Sequence, residues 1–271
     1  MPVTTAPASA AELLAAVLAY RPTAEDGALA FGVTSPRARA AGSRSRPPSA
    51  ASRYSPTPSS GWDGPVFATI FKTDAQGREF LMGMHGSGLI SSPEVVAAFD
   101  LSGFARLVDL GGATGHLAVA ACRRYPGLRA VVLDLPEVVP LARELVIGTD
   151  VADRVDVAAG DFFADPLPPA DLYAFGRVLH DWSADKIAAL LRKVYDALPA
   201  GGGVLVAEKL VDDDRAGPPW AQVQDLNTLL VTEGRERTLG EYVSLLKQAG
   251  FAEVVGRRTA APVDAVLAVK W

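Results

Sequence analysis

The sequence predicts an α/β protein in which a seven-stranded, mostly parallel sheet carries helices on both faces and ends in an antiparallel C-terminal hairpin. Three observations predict it. Residues 106–135 read as strand, glycine turn, helix, strand and acid, the opening βαβ unit of a nucleotide-type site. Short apolar runs then alternate with helical stretches as far as the C-terminal pair of strands. Polar residues collect where the runs end, at Asp109, Asp134, Asp161, His180-Asp181 and Glu208. Open α/β sheets bind ligands at the carboxyl ends of their strands, so a polar residue after each of the first five describes a shared cleft.

Taken in order, residues 10–20 (AAELLAAVLAY) form a short amphipathic helix. Residues 21–60 are dominated by proline, serine, arginine and alanine, with no acid between Asp26 and Asp63. So little apolar surface cannot offset the entropy of ordering, and a disordered or irregular segment is expected. Its arginines (Arg37, Arg39, Arg44, Arg46, Arg53) read as a solvated linker rather than a site for an acidic partner. Order resumes near Gly61, with helical pieces at 66–71 and 80–84. The stretch FLMGMHGSG is expected to be flexible, with Met82 and Met84 serving a pocket wall or the core and His85 uninformative alone.

The first strand is the apolar run Leu107, Val108 and Leu110, carrying Asp109. In the turn Gly111-Gly112-Ala113-Thr114-Gly115, glycines let the backbone take positive φ and let a ligand approach the main chain. An alanine-rich helix follows to Arg124 and offers unpaired N–H groups at its start. Tyr125-Pro126-Gly127 stops it, and residues 130–133 form a second strand delivering Asp134, an acceptor for the two hydroxyls of a ribose. A dinucleotide fingerprint would need glycines at Ala113 and His116, which disfavours an oxidoreductase. The pattern D-x-G-x-A-x-G is instead near the first motif of S-adenosylmethionine (SAM) methyltransferases. A plain structural turn reads the same, and the following acid favours a nucleoside ligand.

Further strands are expected at 154–159, 171–179 and 204–210, with Gly160-Asp161-Phe162-Phe163 after the third. Ser183 caps a helix through 198, helices cover 220–231 and 239–249, and strands at 252–257 and 264–269 form the closing hairpin.

The composition sets limits. With 49% hydrophobic and 21% charged residues the chain is an ordinary globular one, and a net charge of −5 gives no electrostatic case for nucleic acid or an anionic membrane. The apolar run at 13–20 is too short to span a bilayer or, lacking a basic region, to be a signal peptide. The single cysteine, Cys122, excludes an internal disulfide, is expected to be buried and suits a reducing cytoplasm. Three histidines and one cysteine show no zinc spacing, and Asp212-Asp213-Asp214 reads as a solvated turn rather than a magnesium cluster, so no metal is expected.

Four further motifs carry a resemblance: GDFF at 160–163, RVLHDW at 177–182, LPAGGGVLVAEKLV at 198–211 and EGRERT at 233–238. In their order and spacing, from about 67 to 269, the chain resembles the SAM-dependent small-molecule O-methyltransferases of the plant caffeate/hydroxyindole type. The resemblance is nearest to the acetylserotonin O-methyltransferase group and its bacterial relatives. It implies a Rossmann-like SAM methyltransferase fold at 61–271 and metal-independent methyl transfer to a hydroxyl of a small aromatic.

It also implies residue roles. Gly111 and its turn, Asp134, Gly160, Asp161, Phe162 and Arg177 would hold SAM; His180 would be the general base, flanked by Glu208 and Glu236; Asn227 would contact the acceptor. On the residues alone, His180 also reads as merely preceding a capped helix, Glu208 as a strand-end acid in water, and Glu236 as half of an exposed pair with Arg235 or Arg237. Trp182 reads as packing.

The chain also departs from the family. Its first sixty or so residues do not match the relatives' helical dimerisation domain, which leaves the family's homodimer in question. Phe71 stands where relatives have a cofactor-contacting tyrosine, and Gly88 where close relatives have a large aromatic. The alternative function is a SAM-binding pseudoenzyme or interaction protein that lost acceptor binding.

Overall fold

The structure, a computed structural model, describes residues 73–271. The readings placed on 10–20, 21–60, 66–71 and Phe71 lie outside the described residues.

The sheet forms as expected. Strands β1 (Arg106–Leu110), β2 (Arg129–Asp134), β3 (Val155–Ala159), β4 (Leu172–Gly176) and β5 (Gly203–Glu208) run parallel. β9 (Asp264–Val269) pairs antiparallel with β5, and β8 (Glu253–Arg257) antiparallel with β9, giving the order β3-β2-β1-β4-β5-β9-β8. Its central strands read as continuous apolar runs because helices cover both faces; all six residues of β5 are buried. One core joins Phe162, Tyr173, Phe175, Leu191, Val206, Tyr242 and Phe251, and the other joins Leu107, Leu117, Cys122, Val132, Leu172 and Leu205. The connections reverse direction between β1 and β4, which opens a crevice at the carboxyl ends of those two strands.

Six helices complete the described residues: α1 (Asp74–Ala97), α2 (His116–Arg124), α3 (Val139–Ile147), α4 (Ala184–Ala197), α5 (Pro219–Val231) and α6 (Leu239–Ala249). α6 matches the sequence reading residue for residue and carries a full capping box between Thr238 and Glu241.

Several expectations are corrected. The stretch FLMGMHGSG at 80–88 is not flexible but the middle of α1, a 24-residue helix that contains the helical piece expected at 80–84 and runs on through Pro93. Its buried face carries Gly77, Gly88, Ser91 and Ser92 among larger residues, and such small residues let it lie close to the first turn of α2. Tertiary packing has overridden propensity. α3, absent from the sequence reading, follows β2 with Pro140 in its first turn. β4 ends at Gly176 rather than 179, because Arg177 adopts φ +57° and turns the chain into a 3₁₀ segment, Leu179–Asp181. β5 ends at Glu208 rather than 210; β6 (Leu210–Val211) instead pairs with β7 (Arg237–Thr238), a short strand absent from the sequence reading. Ser183 sits at the N-cap of α4 but makes no side-chain cap; its N–H reaches Glu233. Cys122 is buried as expected, its thiol pushed up to about 11 by burial.

Candidate active site

A cavity of about 350 Å³ lies at the carboxyl ends of β1, β2 and β4. Gly111, Ala113 and Asp134 line it, together with His180, Asp181 and Trp182, Asn227 and Thr228 from α5, and Met84 and Ser91 from α1. Among the described residues, no helix is long and apolar enough to cross a membrane.

The glycine turn is built for close approach. Gly111 has φ +69°, and a Cβ there would come 2.9 Å from Val178 and 3.3 Å from Phe162. Below it, Asp109 is buried, and burial pushes its carboxyl up to about 7 despite the Ala118 N–H. Asp134 accepts N–H groups from Ala113 at 2.7 Å and Leu135 at 2.8 Å. Burial still lifts it to about 6, so its oxygens, with lone pairs to spare, are mainly ionised at neutral pH.

Gly160, Asp161 and Phe162 do not line this cavity. Gly160 donates its N–H to the Asp134 carbonyl, and Phe162 packs edge-on to Phe175. Asp161 Oδ1 accepts the Phe163 N–H at 2.8 Å, while its Oδ2 is buried without a partner. Arg177 lines the cavity, with its Nη atoms 3.1 and 2.7 Å from the Gln224 amide oxygen and its buried Nε unpartnered.

The structure brings His180, Glu208 and Glu236 together and divides their work. Glu236 Oε1 lies 2.8 Å from His180 Nδ1 and fixes the ring. Glu208 Oε1 accepts from the N–H of Val178 at 2.9 Å and Leu179 at 2.8 Å, so it fixes the turn that presents the ring. Its Oε2 stands 3.6 Å from Nδ1. Both glutamates are 1% exposed, which rules out the solvated readings of Glu208 and Glu236. His180 sits in the 3₁₀ turn after β4.

Burial would lower the His180 pKa, but the charges of Glu208, Glu236 and Asp181 outweigh it and raise it to about 10. Glu208 is itself pushed up to about 7, mainly by burial. The cluster therefore holds a proton firmly at neutral pH. The three donor groups lie within 4.8 Å of one another, close enough for a metal ion. Here they are engaged with each other and with backbone N–H groups.

Sequence reasoning gave no role to Asp181, whose Oδ1 lies 3.6 Å from His180 Nε2; its adjacency to His180 was the available signal. Trp182 packs edge-on to Phe163 as expected but also lines the cavity. Gly234 was missed as well: a Cβ there would overlap the His180 carbonyl oxygen. Arg237 ties the same segment down through the carbonyls of Leu179 and Trp182. Asp212 pairs with Arg258 at 2.7 Å in the predicted turn.

Comparison with known proteins fits this geometry. Residues 57–252 match the O-methyltransferase domain family. The chain is 45% identical over 205 residues to acetylserotonin O-methyltransferase of Bos taurus, covering 76% of this chain and 59% of that protein. It is 39% identical over 194 residues to 3-hydroxy-5-methyl-1-naphthoate 3-O-methyltransferase of Streptomyces sahachiroi, covering 71% and 56%. Among solved structures it resembles human N-acetylserotonin methyltransferase in complex with SAM, with a TM-score of 0.72, 41% identity and coverage of 76% and 59%. The chain thus spans less than two thirds of the length of each of these relatives.

Proposed function

Because the chain belongs to the O-methyltransferase domain family, we propose that it is an enzyme transferring the methyl group of SAM to a hydroxyl of a small aromatic acceptor, a phenol or hydroxyindole. One observation carries this reading: a buried imidazole on the cavity wall, oriented by a carboxylate 2.8 Å from its other face.

The residues present fit the cofactor. The Gly111 turn leaves a cradle that a Cβ would narrow, Asp134 offers ionised oxygens to the ribose, and Asp161 stands behind the cavity with its Oδ2 buried and unpartnered. Gly160 and Phe162 shape that end from outside the cavity, and Arg177, just past the end of β4, lines it. When bound, the sulfonium supplies an electrophilic methyl carbon. Asp134→Asn is expected to weaken S-adenosylhomocysteine binding about tenfold through loss of a charge-assisted hydrogen bond, read by calorimetry.

The acceptor hydroxyl would be set toward the methyl carbon by the cavity walls, among them Met84, Trp182, Val231 and Asn227. Small aromatics named for relatives, such as a hydroxynaphthoate, suit walls of this kind. His180 then takes the hydroxyl proton at Nε2 while Glu236 stabilises the imidazolium at Nδ1, in the manner of a triad. A phenol has a pKa of ~10, so a histidine raised to about 10 accepts its proton at little cost in driving force.

That raised pKa sets the pH dependence. The base form of His180 is scarce at pH 7 and grows as pH rises toward 10. We therefore expect log kcat/KM to climb with a slope of about one from pH 7 to 9, where an unperturbed imidazole of pKa ~6.5 would already have levelled off. His180→Asn, left with only the phenolate already present, should run ~10²–10⁴-fold slower across this whole range. A plateau from pH 7 upward in the unaltered enzyme would refute the assignment.

A further inference from the structure

The cavity wall next to the glycine turn carries a second histidine. His116 opens α2 directly after Gly115 and lines the cavity beside Gly88, Ser91 and Ser92 of α1. Its ring fills the space a side chain at Gly88 would need: a Cβ there would overlap the ring carbons. Where the resemblance places a large aromatic at 88, this chain has removed that side chain and put an imidazole from another element in its place.

The ring's hydrogen bonding fixes what it presents. His116 Nδ1 lies 2.9 Å from Ser92 Oγ. Ser92 is 3% exposed, and among the described residues its hydroxyl makes no other hydrogen bond, so its proton goes to Nδ1. The alternative, Nδ1–H donating to Ser92, would strand a buried hydroxyl proton. Nδ1 is therefore the acceptor and Nε2 carries the hydrogen. Burial, with His85 and Arg177 nearby, lowers the pKa to about 4 and keeps the ring neutral. Among the described residues, Nε2–H has no hydrogen-bond partner. Ser91, also on this wall, is 4% exposed and its hydroxyl is likewise unpartnered.

We propose that His116, through Nε2–H and with Ser91 on the same wall, is a donor subsite that binds an oxygen of the ligand held against the glycine turn. The oxygen is either the carboxylate at the amino-acid end of the cofactor or a carbonyl of the acceptor. The proposal builds on the SAM-binding reading above and assigns that cavity a recognition residue on α2.

Calorimetry on the full chain tests it, with S-adenosylhomocysteine and with 5′-methylthioadenosine, which lacks the amino-acid end. His116→Phe keeps the ring volume and removes the donor; His116→Gln restores a donor. If the cofactor supplies the oxygen, His116→Phe weakens S-adenosylhomocysteine about tenfold, leaves methylthioadenosine unchanged, and His116→Gln recovers part of the loss. If the acceptor supplies it, nucleoside binding is unchanged and KM rises about tenfold only for acceptors bearing a carbonyl. The His116 Nε2–H resonance should also shift when the ligand binds. Should His116→Phe misfold, Ser92→Ala, which releases the tautomer, must produce the same pattern more weakly. Unchanged binding and unchanged KM in a folded variant overturn the proposal alone. Failure of the unaltered protein to bind S-adenosylhomocysteine would overturn it together with the reading beneath it.

Discussion

His180→Asn is expected to lower the rate of methyl transfer by ~10²–10⁴-fold while S-adenosylhomocysteine binds as before. The expected size follows from the proposed reaction: at neutral pH almost none of a phenol of pKa ~10 is ionised, and proton removal in the transition state is the help assigned to the side chain. Asparagine is chosen over alanine for a structural reason. Glu208 and Glu236 are buried beside the ring, and each leaves one oxygen unpartnered. Removing all polarity at 180 would strand their charge and confuse lost catalysis with lost folding. An amide can still donate to Glu236 without serving as a base. The measurement is single-turnover methyl transfer across a panel of phenols and hydroxyindoles, with cofactor affinity read separately. Turnover equal to the unaltered enzyme would remove His180 as the base, whatever the acceptor.

Gly234→Ala is expected to damage the same site from behind. The glycine lies against the backbone of the 3₁₀ turn, where a Cβ would overlap the His180 carbonyl oxygen and come within 2.7 Å of Trp182 N. These are backbone atoms, held by Glu208 through the N–H groups of Val178 and Leu179 and by Arg237 through the carbonyls of Leu179 and Trp182. They cannot swing aside as a side chain could. Either the 233–238 segment moves out, carrying Glu236 off the ring, or the turn moves and takes His180 with it. Overpacking of this kind costs ~1–3 kcal/mol of stability, and a displacement near 1 Å at the reacting group costs ~10²-fold in rate. Thermal denaturation together with turnover reads both. Retention of full stability and full rate would mean that the segment sits farther from His180 than described.

The two halves of the site were legible to different degrees. The cofactor half is written within one stretch: Asp109, the Gly111 turn and Asp134 lie within 30 residues, and strand period, glycine and terminal acid each have a local signature. The catalytic half is not local. Residues 56 positions apart make the His180–Glu236 bond, and Glu236 lies between two arginines that suggest an exposed pair. Only the resemblance pointed to it. The division of labour, with Glu208 on the turn and Glu236 on the ring, appears only in the geometry. α1 was misread for a related reason. Its glycines and serines speak against a helix locally, yet they are the residues that let it lie against α2.

The sequence by itself determined the alternation of strands and helices, the antiparallel close and the acids at the strand ends, because these follow from side-chain period and from the backbone freedom of a few glycines. The tertiary structure alone decided that β4 stops at Gly176, that Glu208 and Glu236 meet at one imidazole, and that His116 occupies the space left by Gly88. Each of these depends on the packing of segments far apart in the chain, where burial and steric fit outweigh local preference.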